Sequence, residues 1–234
     1  MSETTERETI AVHGPDAAAY LQGQISQDLD AMAPGETAWS LVLQPNGKLS
    51  AWFRIHRDGD EAFLLDIDAG HADVLVARLE RFKLRTDATI EPTDRRIPDP
   101  VTWPGADDPS DERQRILAGM PRMGAELVDT TIPGEGGQRL IDLSVSFTKG
   151  CYTGQELVAR IDSRGGNVPR PVRVLHADGP IEVGADVRVG DDVVGTVTSA
   201  AGDVALAPLM RKVEIGDRVE VAGVGAAVIE PVGS

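Results

Sequence analysis

The sequence predicts an α+β protein whose last third is all β, a small β-barrel. Three observations predict it. A period-two meander over 39–67 is broken by turn dipeptides, a helical period runs over 70–82, and the C-terminal stretch is rich in Val and Gly in short alternating runs. A chain of 234 residues can bury one large core or two small ones.

Taken in order, residues 14–22 read as a short helix, with Pro15 at a first helical position, Asp16 at its positive end, and Ala17, Tyr20 and Leu21 at helical spacing. Residues 39–43 and 49–56 read as two strands joined through Asn46-Gly47, a strong hairpin signal. Asp58-Gly59 marks a second turn before a third strand at 62–67. Over 70–82, Val74, Leu75, Leu79 and Phe82 fall near one helix face, and 84–90 returns to an extended pattern. Pro98, Pro100, Pro104 and Pro109 among Asp and Arg make 93–114 a linker with little apolar material. In the last third, 187–189, 193–198, 204–206, 219–221 and 226–229 are short strands punctuated by Gly190, Gly195, Gly202, Gly216 and Gly223. The expected organisation is therefore 1–92 as an α+β module, 93–114 as linker, 115–170 as the second part of that module, and 171–234 as the barrel.

Charge narrows function. Acids outnumber bases 38 to 23, giving a net charge of −15. Phosphate-backbone binders draw most of their affinity from basic surface, so direct nucleic-acid binding is not expected. No apolar run reaches the length of a spanning helix, and residues 1–8 lack the layout of a signal peptide. The single cysteine cannot form an internal disulfide, which suits a reducing cytoplasm. One cysteine and four scattered histidines, His13, His56, His71 and His176, offer no metal-ligand spacing, and no bound metal is expected.

The most informative stretch is 147–160, Phe-Thr-Lys-Gly-Cys-Tyr-Thr-Gly-Gln-Glu-Leu-Val-Ala-Arg. Thr153 and Glu156 have capping-box spacing, so a helix is expected from near Gly154 through Ile161, stopped by Gly165-Gly166. Cys151 then precedes the first turn, close to the positive end of the helix, with Lys149 two residues away. Both features favour thiolate, while Glu156 opposes them. A lone cysteine is also commonly a small buried hydrophobe, and the residues alone leave both readings open.

The run from Lys149 to Glu156 resembles the K-G-C-Y-x-G-Q-E signature of the YgfZ-type folate-binding family, relatives of the glycine-cleavage T-protein, at every fixed position. Residues 14–28, 44–48, 81–85, 115–121, 194–200 and 205–207 are similar to further elements of that family. Its members carry more chain between the last element of the 81–85 type and that of the 115–121 type, so a shortened middle region is expected here. The resemblance implies α+β modules closed by a β-barrel, tetrahydrofolate as ligand, and support of iron–sulfur cluster assembly or repair, including iron–sulfur enzymes that modify tRNA. It implies Cys151 as the reactive or redox-sensing thiol tuned by Lys149. Tyr152, Gly154, Gln155 and Glu156 would line the folate or hold the loop, and Arg160 would meet a folate carboxylate. A folate-dependent aminomethyl or one-carbon transferase is the first alternative, although none of the transferase's catalytic acid motif is found. A cysteine hydrolase or acyltransferase is the second, and it needs a base in reach of Cys151.

Overall fold

A computed structural model describes residues 7–98 and 101–233; the expectations placed on 1–6 and on Pro100 lie outside the described residues. The described residues form two compact units, one of residues 7–98, 101 and 141–164, the other of 102–140 and 165–233. These units cut across the boundaries drawn from sequence, since 115–170 contributes to both.

The first unit is built on an antiparallel sheet of β1 (Arg7–His13), β2 (Thr37–Leu43), β3 (Leu49–Arg57), β4 (Ala62–Asp68) and β5 (Thr89–Thr93), in the order β2-β3-β4-β1-β5. The Asn46-Gly47 hairpin forms, with Gly47 at φ +83. Strand β1, unforeseen in the sequence, lies inside the sheet between β4 and β5. Pro92 is tolerated because β5 is an edge strand, where a missing N–H faces no ladder partner. Alternation sends Ile10, Val12, Phe53, Ile55, Phe63, Leu65 and Ile67 to one face, where all are buried. Helices α1 (Ala17–Gln22) and α2 (Ala72–Phe82) pack on the sheet and supply Leu21, Leu75 and Leu79 to the core. Each such side chain contributes roughly 1.5–3 kcal/mol by leaving water. Helix α1 starts later than 14 because Gly14, at φ +132, and Asp16 make a turn: Asp16 N–H donates to the Asp87 carbonyl (3.1 Å), and Asp87 N–H donates back to the Asp16 carboxylate (2.8 Å).

The opposite sheet face is polar and aromatic. Cross-strand register sets Trp39 beside Arg54, Arg54 beside Asp66, and Asp66 beside Thr9. Arg7 and Arg54 both donate to Asp66 (2.6 and 2.7 Å through Nε), and Arg7 also pairs with Asp68 (2.5 Å). Trp39 stacks on Trp52 with ring centroids 4.1 Å apart.

In the second unit, seven strands form one curled sheet: β6 (Val172–Ala177), β7 (Asp186–Val189), β8 (Asp192–Thr196), β9 (Ser199–Ala201), β10 (Val204–Pro208), β11 (Arg218–Val221) and β12 (Val224–Ile229), in the order β8-β7-β11-β12-β6-β10-β9. The sheet curls far enough for β8 to meet the chain just past β10, where Met210 N–H donates to the Val194 carbonyl (2.8 Å). Gly195 sits at that seam, where a Cβ would come 2.5 Å from the Pro208 carbonyl oxygen. Leu175, Val187, Val194, Ala205, Ala207, Val219, Val221 and Val228 fill the interior. The expected small barrel is present, with β6 and β9 added to the strands read from sequence.

The expected linker 93–114 is only partly a linker. Trp103 is buried and donates to the Ala118 carbonyl (3.0 Å), Ala106 is buried, and the Asp111 carboxylate caps α3 (Glu112–Leu117) by accepting from Arg113 and Gln114 N–H. Its low apolar density masked three buried residues, Ile97, Trp103 and Ala106, and a helix cap. On that helix Ile116 packs against Val174, Val204 and Leu206. Helix α4 (Gln138–Ser144) precedes the motif segment.

Candidate functional site: the Cys151 loop

Residues 144–154 run over the turn that follows α1, and polar side chains and backbone groups hold the two together. Ser146 N–H donates to the Ser26 carbonyl (2.9 Å) and Thr153 N–H to the Gly23 carbonyl (3.1 Å). Ser26 Oγ donates to the Ser144 carbonyl (2.6 Å) while accepting from Leu41 N–H (2.8 Å), so one buried hydroxyl joins the loop, the turn and β2. Trp52 Nε1 donates to Ser144 Oγ (3.0 Å), and the Gln27 amide reaches the Trp39 carbonyl (3.3 Å).

Lys149 is the strongest tie. Its ammonium donates to the carbonyls of Gln22 (2.8 Å), Ile25 (2.8 Å) and Gln27 (2.7 Å), which uses all three of its N–H bonds. It also lies 5.2 Å from the centre of the Tyr152 ring. Burial pulls its pKa down to about 8, against the opposing pull of Asp28 and Asp30. Tyr152 is buried, and burial pushes its phenol up to about 12.

Helix α5 (Gln155–Asp162) follows the loop, but the expected capping box does not form. Gly154 stands at its N-cap in the left-handed region, φ +84, and no side chain caps the helix. Instead the Gln155 side-chain oxygen accepts from Tyr152 N–H (3.2 Å). Gly154 presses on the β2–β3 hairpin so closely that a Cβ would collide with the Gln44 carbonyl oxygen and approach Leu43 Cβ to 2.7 Å. Gly47 meets α5 in the same way, because a Cβ there would collide with Leu157 Cβ. The two glycines interlock hairpin and helix start.

Cys151 itself is exposed, so the reading of it as a small buried hydrophobe is set aside. Gly150 beside it has open space where a side chain would be. The structure thus separates the sequence-predicted residues into two groups. Lys149, Tyr152, Gly154 and Gln155 are spent on holding the loop, whereas Cys151, Glu156 and Arg160 face solvent. Arg160 makes no ion pair among the described residues. No histidine hydrogen-bonds Cys151 among the described residues: His13 contacts Glu91 (3.3 Å), His56 contacts Thr37 (3.0 Å), His176 contacts Asp203 (3.0 Å), and His71 stands at the start of α2. A triad-like base for a cysteine hydrolase is missing from that inventory.

Sequence reasoning missed the seat of the loop, Gln22, Ser26 and Gln27, and the Trp39–Trp52 pair. The seat uses backbone carbonyls, which leave no mark on residue identity. The tryptophans were visible as strand residues, yet only the register stacks them. Among the described residues Trp39 Nε1 is buried with no hydrogen-bond partner, and Trp39 is 2% exposed. A buried donor left in that condition suits a planar ligand carrying an acceptor, as a pterin does. Within the motif, Lys149 and Gln155 are already bonded within the protein, while Cys151 and Glu156 are exposed. In the other unit a cavity of about 420 Å³ is lined by Glu126, Thr131, Glu135, Arg170 and Thr198, and no sequence-predicted site residue borders it. Among the described residues no cluster suits a metal ion, and no helix is long and apolar enough to cross a membrane.

No family model matches the chain. An uncharacterized protein of Haemophilus influenzae is 28% identical over 235 residues, spanning 84% of this chain and 82% of that protein. The tRNA-modifying protein YgfZ of Edwardsiella ictaluri is 28% identical, over 68% of this chain and 65% of its own length. The mitochondrial iron–sulfur cluster assembly factor IBA57 homolog of Neurospora crassa is 25% identical, over 70% of this chain and 51% of its own. The chain therefore spans little more than half of some relatives. The glycine cleavage system aminomethyltransferase T of Bartonella henselae has the same fold, with a TM-score of 0.77 at 17% identity, over 97% of this chain and 84% of that one. Its complete Lys149–Glu156 signature, relatives named YgfZ and IBA57, and the glycine-cleavage T-protein fold together support a likeness to the YgfZ-type family.

Proposed function

We propose that this protein is a tetrahydrofolate-binding accessory factor that supports iron–sulfur cluster assembly or repair, and through client enzymes tRNA modification, with Cys151 as its working thiol. The observation that carries the reading is the loop: the chain's one cysteine is exposed between Lys149, seated on the turn after α1, and Tyr152 and Thr153, whose N–H groups are bonded. That geometry suits a thiol that meets a partner's cluster or sulfur, because a fixed loop loses little freedom on engagement. The names of relatives, YgfZ and IBA57, support the iron–sulfur and tRNA context. The net charge of −15 favours action through a client protein over direct contact with RNA. A reducing cytoplasm remains the compartment in which a free exposed thiol is best kept.

Folate is supported by the Trp39–Trp52 pair. Trp39 would donate its unpartnered N–H to the pterin, and the stacked indoles would shield one edge of it from water. Bound tetrahydrofolate would supply a reduced pterin able to accept a one-carbon unit. Cys151 would remain at the solvent-facing end of its loop throughout. The transferase alternative rests on likeness of fold alone. Calorimetric titration with tetrahydrofolate tests the reading on wild type, Cys151→Ala and Trp39→Phe. Binding is expected for wild type and Cys151→Ala, and weakened by about tenfold for Trp39→Phe, as for one lost buried hydrogen bond. Absence of binding by all three would remove folate from the assignment.

A further inference from the structure

The motif lysine has a task that its spacing from Cys151 does not suggest. We propose that Lys149 is a positioning residue: its ammonium, seated on the carbonyls of Gln22, Ile25 and Gln27, sets the conformation in which the 147–153 loop presents Cys151. The inference rests on Cys151 being the working residue, and it concerns how that residue is held.

Three observations carry it. The ammonium has three N–H bonds and the seat has three carbonyls at 2.7–2.8 Å, so donors and acceptors match one to one. While seated, Lys149 has no N–H left for a thiolate or a ligand. Backbone ties at Ser146 and Thr153 lie on either side of it, both to the same turn. Between Lys149 and Thr153 only Gly150, Cys151 and Tyr152 remain, and the first two are exposed. Among the described residues, the Lys149 bonds are the side-chain tethers that join 147–152 to the turn. The charged groups that act on the ammonium are Asp28 and Asp30, which favour its protonated form. Gln22 ties this acidic pair to the same turn, since its side-chain amide donates to Asp28 (2.7 Å).

A charge effect on the thiol and a seat for the loop make different demands. Charge needs only a cation. The seat needs a primary ammonium, whose N–H bonds diverge toward three acceptors, and the planar guanidinium of an arginine cannot match that. Because Cys151 is the only cysteine, its alkylation reports on the loop without interference. The experiment follows alkylation rate against pH, together with amide exchange over 145–154, for wild type, Lys149→Met, Lys149→Arg and Lys149→Ala. Circular dichroism confirms that each variant is folded. The expected result is that Met, Arg and Ala all raise amide exchange at 147–153 by at least about tenfold, as for a lost charge-assisted tether. The plateau alkylation rate changes while its pH midpoint stays in place. Propylammonium restores protection to Lys149→Ala, and tetramethylammonium, with equal charge and no N–H, does not. If Lys149→Arg behaves as wild type and Lys149→Met only shifts the midpoint, the residue acts by charge and the proposal is overturned. Unchanged exchange in all three variants overturns it as well. Failure of the wild-type protein to support an iron–sulfur client, with the loop readouts as expected, would sink the proposed function while supporting the seat.

Discussion

The barrel and the Cys151 loop are held by opposite means. The barrel closes on an apolar interior of Leu175, Val187, Val194, Ala205 and Val228, and its glycines mostly serve turns. In the loop from 147 to 153 only Tyr152 is buried. The loop hangs on the turn after α1 through Lys149, Ser26 and two backbone N–H groups, and on the hairpin through Gly47 and Gly154. Apolar packing is non-directional and tolerates exchange of similar shapes. Hydrogen-bonded seats and close backbone approaches fix one conformation and tolerate almost nothing. The difference places stability in one region and specification of the thiol's position in the other.

The largest break in that comparison is expected at the interlock. Gly154→Ala adds a Cβ at φ +84 against Gln44 and Leu43, so both backbone strain and collision oppose it. A loss of at least about 3 kcal/mol, or failure to fold, is expected in urea unfolding. Gly35→Ala, at φ +91 with open space around it, is the control and costs only the strain, about 1 kcal/mol. Equal losses at the two sites would contradict the interlock.

In the barrel, Leu206→Ala removes a fully buried side chain that packs with Ile116, Val174 and Val204. Its expected cost is about 2–5 kcal/mol in the same measurement, with Cys151 alkylation unchanged. Altered thiol reactivity in this variant would mean that the two regions are not independent.

How much of this was legible follows from the same contrast. Alternation over 39–67 and 187–229 exposed the strands, because packing against an apolar core writes itself into residue type. Strand β1 escaped because Arg7, Glu8, Thr9 and His13 mask the alternation of Ile10 and Val12. The reason is physical: Arg7 lies on the polar sheet face, paired with Asp66 and Asp68, where charge is required. The signature at 149–156 pointed to the resemblance that the relatives support, and it located the thiol. It misassigned the cap, because only Gly154 at positive φ, pressed on the hairpin, decides where α5 begins. The seat of Lys149 was invisible, since any residue offers a carbonyl.

A smaller effect sharpens the polar side of the comparison. Burial holds Lys149 at about 8 in the folded protein, against 10.5 for an unperturbed lysine. Between those values the unfolded chain keeps a proton that the folded protein has released. Lys149's contribution to stability therefore rises as pH climbs from about 8 to 10.5. Thermal unfolding of wild type and Lys149→Met should diverge over that window, with wild type gaining. Parallel curves would mean that the lysine is not buried as described.

Cys151→Ala is expected to do least to stability and most to function. The residue is exposed, so unfolding should shift by no more than about 0.5 kcal/mol. The most direct test of the account uses that separation. The activity of an iron–sulfur tRNA-modifying enzyme is measured in cells lacking their own YgfZ-type protein, supplied with wild type or Cys151→Ala at equal abundance. The account predicts restored activity with wild type and none above background with the variant. Equal restoration by both would contradict the assignment of Cys151 as the working residue.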